Sequence, residues 1–295
     1  MARKPIFFAW FLCTTFATAF EPKLEGSGAT VDTLLRKLPT VASVEVLLNP
    51  VEAERSFIHI KDWHFVPREM FAADIRSTSV SPVTDAKIEQ QFEEHLREVA
   101  LVQDDQIKLL RKLIENHGVR RVFCEGLADN DMPIYRAKLR VLKQWQSEIP
   151  ELQEQLQGLN ESLQQLSNDT EEYRATLELR EEFLRVVLKY RGELLRIGAV
   201  GRLVMANELE AVLPLEDLDA YQRANPLNAN GQVELRQADI DAREDAQVKR
   251  LLKHRGVSVV ILGGKHDLSD NISKLAPQGI RYITVTTNSY PNSGL

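Results

Sequence analysis

Three points along the chain place residues able to do chemistry directly after apolar runs. Ser56-Phe57-Ile58-His59-Ile60 leads into Lys61-Asp62-Trp63-His64. Val119 to Cys124 ends on Glu125, and Val257 to Leu262 passes through Gly263-Gly264-Lys265 to His266 and Asp267. A carboxylate and two imidazoles in one place can hold a divalent metal, or supply a general base with an orienting acid. Taken singly each piece has a plainer role: a hydrogen-bonded structural histidine, a capping glutamate, an ordinary turn. The two glycines allow a sharp turn and leave room for a ligand beside His266. His59 lies within its run rather than beyond its end and reads as no ligand. His95 reads as solvated on the polar side of a helix, and His117 and His254 sit near helix C-termini, where the helix dipole favours them. An HD-type phosphohydrolase based on His266-Asp267 is set aside, because that pair belongs on a helix and here follows a strand and a turn.

The elements that must position these residues are legible in outline. Val44 to Leu48, residues 56–60, Val119 to Glu125, Val257 to Leu262 and Arg281 to Thr286 read as strands. A helix is expected from Thr84 to Asn116, with Phe92, Leu96, Val99, Ala100, Ile107, Leu110 and Ile114 on one face and Gly118 closing it. Others are expected from Gly201 to about Glu210, over residues 236–255, and from about Leu268. A polar loop is expected from Asn225 to Gly231. The alternation predicts an α/β fold: a central, mostly parallel sheet covered on both faces by helices. In such sheets sites gather beyond the carboxyl ends of the strands.

Residues 136–198 break the alternation. Leu142, Trp145, Ile149, Leu152, Leu156, Leu159, Leu163 and Leu166 are spaced by threes and fours, and Phe183, Val187, Tyr190, Leu194 and Ile197 continue that pattern. The heptads predict a long antiparallel, coiled-coil-like hairpin, with arms of about 37 Å. Its turn carries a capping box at Asp169 and Glu172, and Pro150 should kink or restart the first arm. Such hairpins are usually self-packed, and this one is also open to partner docking.

The chain opens on Met1-Ala2-Arg3-Lys4, continues with an apolar run of about 12 residues and reaches Ala17-Thr18-Ala19. That is the form of a cleavable secretory signal over 1–19, too short for a membrane span, which needs roughly 20 residues. Cys13 follows Trp10-Phe11-Leu12, not the small residues a lipidation site wants. The expected organisation is therefore a signal peptide over 1–19, the first half of an α/β domain over 20–135 beginning with a loose arm, the hairpin insertion over 136–198, and the second half over 199–295. Loss of Arg3 and Lys4 from 37 basic residues leaves 35 against 43 acidic, a net charge of −8. No basic stripe is present to meet phosphates, so no nucleic-acid partner is expected, and no later segment reads as transmembrane. Cys124 stays without an internal partner, so the core must stabilise the fold. The mature protein is expected to be periplasmic or secreted.

Together, Asp62-x-His64, Cys124-Glu125-Gly126, an arginine-bearing helix and Gly263-x-x-His266 resemble the superfamily of TraB/GumN proteins, TIKI proteases, ChaN-like haem-binding lipoproteins and erythromycin esterases. Gly198-Ala199-Val200-Gly201 and Val212-Leu213-Pro214-Leu215-Glu216 are similar to the TraB/GumN mid-region. The likeness spans about 55–127 and 196–286 and hardly touches the hairpin. One departure stands out: Lys61 replaces the glycine that opens the first motif, and Asp62 takes the place of its glutamate, which leaves open a changed substrate or a fold kept without catalysis.

The resemblance implies an exported hydrolase of a peptide or ester bond, with His64, Glu125 and His266 around a divalent metal or a water. It matches Arg243 to the family's arginine, expected to steady an oxyanion or a substrate carboxylate; the plainer role is an ion pair with Glu244 or Asp241. Asp62 and Asp267 are expected to orient the histidines. The ChaN branch implies the alternative: a haem- or ligand-binding envelope protein without catalysis.

Overall fold

The computed structural model describes residues 42–50, 53–79, 81–225, 235–276 and 279–291. The signal peptide and the N-terminal arm lie outside these residues, as does the polar loop beyond Asn225.

Six strands form one sheet: β1 (Ala42–Leu48), β2 (Arg55–Asp62), β3 (Arg121–Ala128), β4 (Ala211–Glu216), β5 (Val257–Gly263) and β6 (Ile280–Thr287). Their spatial order is β1-β6-β2-β5-β3-β4. All neighbours run parallel except β1, which lies antiparallel on β6 at one edge. The described helices are α1 (Arg68–Thr78), α2 (Asp85–His117), α3 (Met132–Gln165), α4 (Glu171–Met205), α5 (Leu218–Ala224), α6 (Gln237–Leu251) and α7 (Ser269–Leu275). The mostly parallel α/β sheet with a long helical hairpin is the architecture expected. None of these helices is long and apolar enough to cross a membrane.

The strands are apolar on both faces because both are covered. Ile58 and Ile60 of β2, Val122 of β3 and Val259 and Ile261 of β5 meet Leu109, Leu110 and Leu113 of α2 and Ala199, Val200 and Leu203 of α4. The alternate residues Phe57, Phe123, Val260 and Leu262 turn to the other face, against Val248 and Leu251 of α6 and Ile272 of α7. The pleat thus aims one residue of each strand at each helical layer. Thr84 caps α2 by accepting from the Lys87 N–H, and Gly118 (φ 64°) ends it in the left-handed conformation.

The hairpin has its own core of Leu139, Leu142, Ile149, Val187, Tyr190 and Ile197. Of the two effects expected of Pro150, a kink or a restart, there is no restart: it lies inside a helix that runs from Met132 to Gln165; the hydrogen bond lost there is offset by burial of Ile149 and its neighbours against the second arm. The cap of that arm is Thr170, whose hydroxyl accepts from the Tyr173 N–H, while Asp169 accepts from the Ser167 hydroxyl. A break comes instead at Gly198 (φ 68°, ψ −175°), where α4 turns onto the sheet. The carbonyls freed nearby are met by side chains: Gln103 donates to Leu195 O and Tyr135 to Ile197 O.

Two short helices, α1 and α5, stand where no element was expected. His95 is not solvated. It is 6% exposed, stacked on Phe71 (5.3 Å between centroids) and near Trp63 (6.2 Å). The buried stripe of α2 runs through Ile88, His95, Val99, Val102 and Gln106, so two polar residues occupy core positions that a hydrophobicity pattern passes over.

Candidate functional site

Parallel register brings the expected residues together. Asp62 at the end of β2 lies opposite Gly263 at the end of β5, and Cys124 opposite Ile261 puts Glu125 one residue further along β3. Three neighbouring strands therefore deliver their carboxyl ends to one spot. Beyond Cys124 the pairing with β4 shifts register, around Gly126 at φ 73°, and Glu216 ends β4 beside it.

Glu125 is the centre. Its Oε2 lies 3.2 Å from His64 Nε2 and its Oε1 lies 3.3 Å from His266 Nε2. The outer nitrogen of each imidazole also meets a carboxylate: His64 Nδ1 is 3.1 Å from Asp62 and His266 Nδ1 is 2.8 Å from Glu244. The Gly263 N–H donates to Glu125 Oε2 at 2.6 Å. Gly263 itself leaves no room for a side chain: a Cβ there would stand 2.5 Å from His64 Nε2.

The remaining residues hold this arrangement from beneath. Arg243 is 7% exposed and donates through Nη2 to Glu125 (2.7 Å) and to Glu216 (2.6 Å), and through Nε to Glu216 (3.0 Å). Its guanidinium lies over the Tyr221 ring. Gln247 and the Gly126 N–H also donate to Glu216. On the other face Gln106 donates to Asp62 Oδ1 and to Lys61 O. Arg243 is thus not a surface pair with Glu244 or Asp241. Its Nε and Nη2 are spent on two carboxylates, and it positions Glu125. Asp267, expected to orient a histidine, accepts from the Ser269 N–H instead; the carboxylate on His266 is Glu244.

Glu216, Glu244, Gln106 and Gln247 were not among the expected site residues. Glu244 and Gln247 carried a signal, since with Val248 and Leu251 they fall on one stripe of α6, where a charged side chain must find a partner. Glu216 stands at a strand end as Glu125 does.

Electrostatics follow from this crowding. Burial acts against charge on both imidazoles, but the paired carboxylates overcome it and raise His64 to about 11 and His266 to about 9. Burial would lift the Glu125 carboxyl; hydrogen bonds from His266 and His64 hold it well below the usual carboxylate range. With ionised carboxylates at Asp62, Glu125, Glu216 and Glu244 and the Arg243 cation, neutral imidazoles leave the cluster at −3, and protonated ones at −1. His59 lies apart, fully buried, with its nitrogens 2.9 Å from the Tyr282 hydroxyl and 3.0 Å from Leu262 O. Among the described residues no group of three or more His, Cys, Asp or Glu side chains is arranged so as to hold a metal ion as it stands.

A cavity of about 360 Å³ opens beside the site. The sheet contributes Asp62, His64, Cys124 and Glu125, and the base of the hairpin contributes Tyr135, Lys138 and residues 195–200. Burial, with the charge of Asp62, raises the Cys124 pKa, which keeps it a thiol and a poor nucleophile.

No protein-family model, curated protein or solved structure matches the chain.

Proposed function

We propose that this is an exported hydrolase of peptide or ester bonds, resembling the TraB/TIKI/esterase-like superfamily, and that it works with a divalent cation at His64, Glu125 and His266. The observation that carries the reading is the pair of imidazole Nε2 atoms on the two oxygens of one carboxylate, at 3.2 and 3.3 Å, beside a cavity. The donors suit such a cation in type: two imidazoles and a carboxylate, with a further carboxylate behind each ring to fix its tautomer and orientation. They suit it in charge as well, because a cluster at −3 takes up either two protons or one divalent cation to reach −1. Bound there, the cation would supply a water that ionises near pH 7.

The chain's own residues do the rest. Asp62 and Glu244 hold the Nδ1 protons, so that once the Nε2 protons give way to the cation both Nε2 lone pairs would point inward. Arg243 and the Gly263 N–H fix the Glu125 carboxylate from outside the cavity. The hairpin base walls the cavity and limits what reaches the site.

Incubation of the mature protein with mixed peptide and ester substrates, with and without a chelator, tests the reading. Hydrolysis that falls with chelation, returns on adding a divalent cation and is lost in Glu125→Gln is expected. Hydrolysis indifferent to both would remove the proposal.

A further inference from the structure

The two walls of the cavity differ in charge. On the sheet wall stand Asp62, His64 and Glu125; on the hairpin wall the charged groups are Lys138 of α3 and Arg196 of α4. Both cations pair with the single carboxylate of Glu193, which is not part of the wall. Two positive charges share one negative charge, and the hairpin wall keeps one in excess. Arg196 is also held in place, its guanidinium 5.5 Å from the centre of the Phe65 ring, and Phe65 follows His64 directly. A planar fork of N–H donors is thereby stationed close to the catalytic centre, with half of its side chain exposed. That fork matches a carboxylate, which it can bind through two parallel hydrogen bonds.

We infer that Arg196 and Lys138 form a subsite for a carboxylate on the substrate, so that the enzyme acts next to a free chain end. This rests on the hydrolase reading for the word substrate, though the subsite itself is a binding claim. The size of the cavity favours a chain end over a passing chain: about 360 Å³ is at the lower end of small-ligand pockets, which run from about 300 to 1,000 Å³. The hairpin then has a definite function, as the wall that selects by charge.

The test uses three probes on the mature protein, with binding followed by calorimetry to millimolar concentration: acetyl-Ala-Ala with a free carboxylate, its C-terminal amide, and acetyl-Ala-Glu amide, which carries the charge on a side chain. A charge-assisted pair predicts that the free acid binds at least about tenfold tighter than the amide, with a preference that shrinks in high salt. Arg196→Gln should reduce the preference to below about threefold, and it leaves Lys138 paired with Glu193, so the fold is not put at risk. A second variant, Lys138→Gln, leaves Arg196 and Glu193 as a balanced pair, removes the excess charge of the wall and should weaken the acid but not the amide. Equal binding of acid and amide, no binding of either, or a preference that survives Arg196→Gln would overturn the inference. Tight binding of the glutamyl amide alone would also overturn it as stated, by moving the charge to a side chain. The two readings fail separately: preferential binding without hydrolysis leaves the subsite and removes the hydrolase, and hydrolysis without preference does the reverse.

Discussion

Replacing Gly263 with alanine adds one methyl group and tests the geometry of the site with little else changed. The new Cβ would lie 2.5 Å from His64 Nε2, 3.2 Å from Glu125 Oε2 and 3.4 Å from His266 Cδ2. Ordinary contact is 3.4 Å or more, so the His64 ring must retreat by roughly 1 Å, a displacement that can cost about 10²-fold in rate, or about 2.7 kcal/mol of transition-state stabilisation. The backbone conformation of Gly263 carries no left-handed strain, and its N–H to Glu125 is kept. His64 is half exposed and can swing outward, so the stability cost is that of local overpacking, about 1–3 kcal/mol. Gly192→Ala is the control, since it adds the same methyl group where a Cβ meets nothing within 4 Å. Melting by circular dichroism, equilibrium dialysis of zinc and hydrolysis are measured on both. The reasoning requires a folded Gly263→Ala protein that has lost cation binding and activity beside a Gly192→Ala protein that keeps them. A Gly263→Ala protein within about threefold of the parent in both would refute the placement of His64 at the centre.

Other expectations follow from the same contacts. Arg243→Met strands Glu216 as a buried charge and takes one cation from Glu125, and urea denaturation should show a loss of about 3–5 kcal/mol; a loss below about 1 kcal/mol would mean the guanidinium is not what holds Glu216. Burial depresses His59 to about 4, below its unfolded value near 6.5, so the unfolded chain takes up the proton first as pH falls. The stability due to its neutral form is intact above pH 6.5 and declines between 6.5 and 4, by about 2–3 kcal/mol at pH 4.5. His59→Leu should flatten that limb of the curve, and an unchanged slope would assign the acid sensitivity elsewhere. Mass spectrometry of protein from an exporting host should find a chain starting at Phe20, whereas an intact Met1 would remove the export proposal.

How much of this was legible in the sequence differs by element. The buried strands announced themselves as uninterrupted apolar runs, and Gly263-Gly264 marked the turn that carries His266. The order of those strands in the sheet, and so the meeting of Asp62, Glu125 and His266, could be expected only from their shared position at strand ends. Helices α1 and α5 were missed because short, polar segments such as Arg68-Glu69-Met70 have no periodicity to read. His95 and Gln106 were passed over because a polar residue in a buried stripe looks like a solvated one until its neighbours are known. At Pro150 local propensity allowed a restart of the helix, and hairpin packing carried one helix through it. The role of Arg243 depended on Glu216, which comes from a different strand and has no sequence relation to α6.

The most direct test of the central claim is equilibrium dialysis of the mature protein against zinc or manganese at pH 8, with His266→Ala beside it. One ion per chain in the parent, bound with release of protons as the two imidazoles give up theirs, and none in the variant is the predicted result. A parent that binds no ion, or a variant that binds it as tightly, would contradict a cation held by His64, Glu125 and His266.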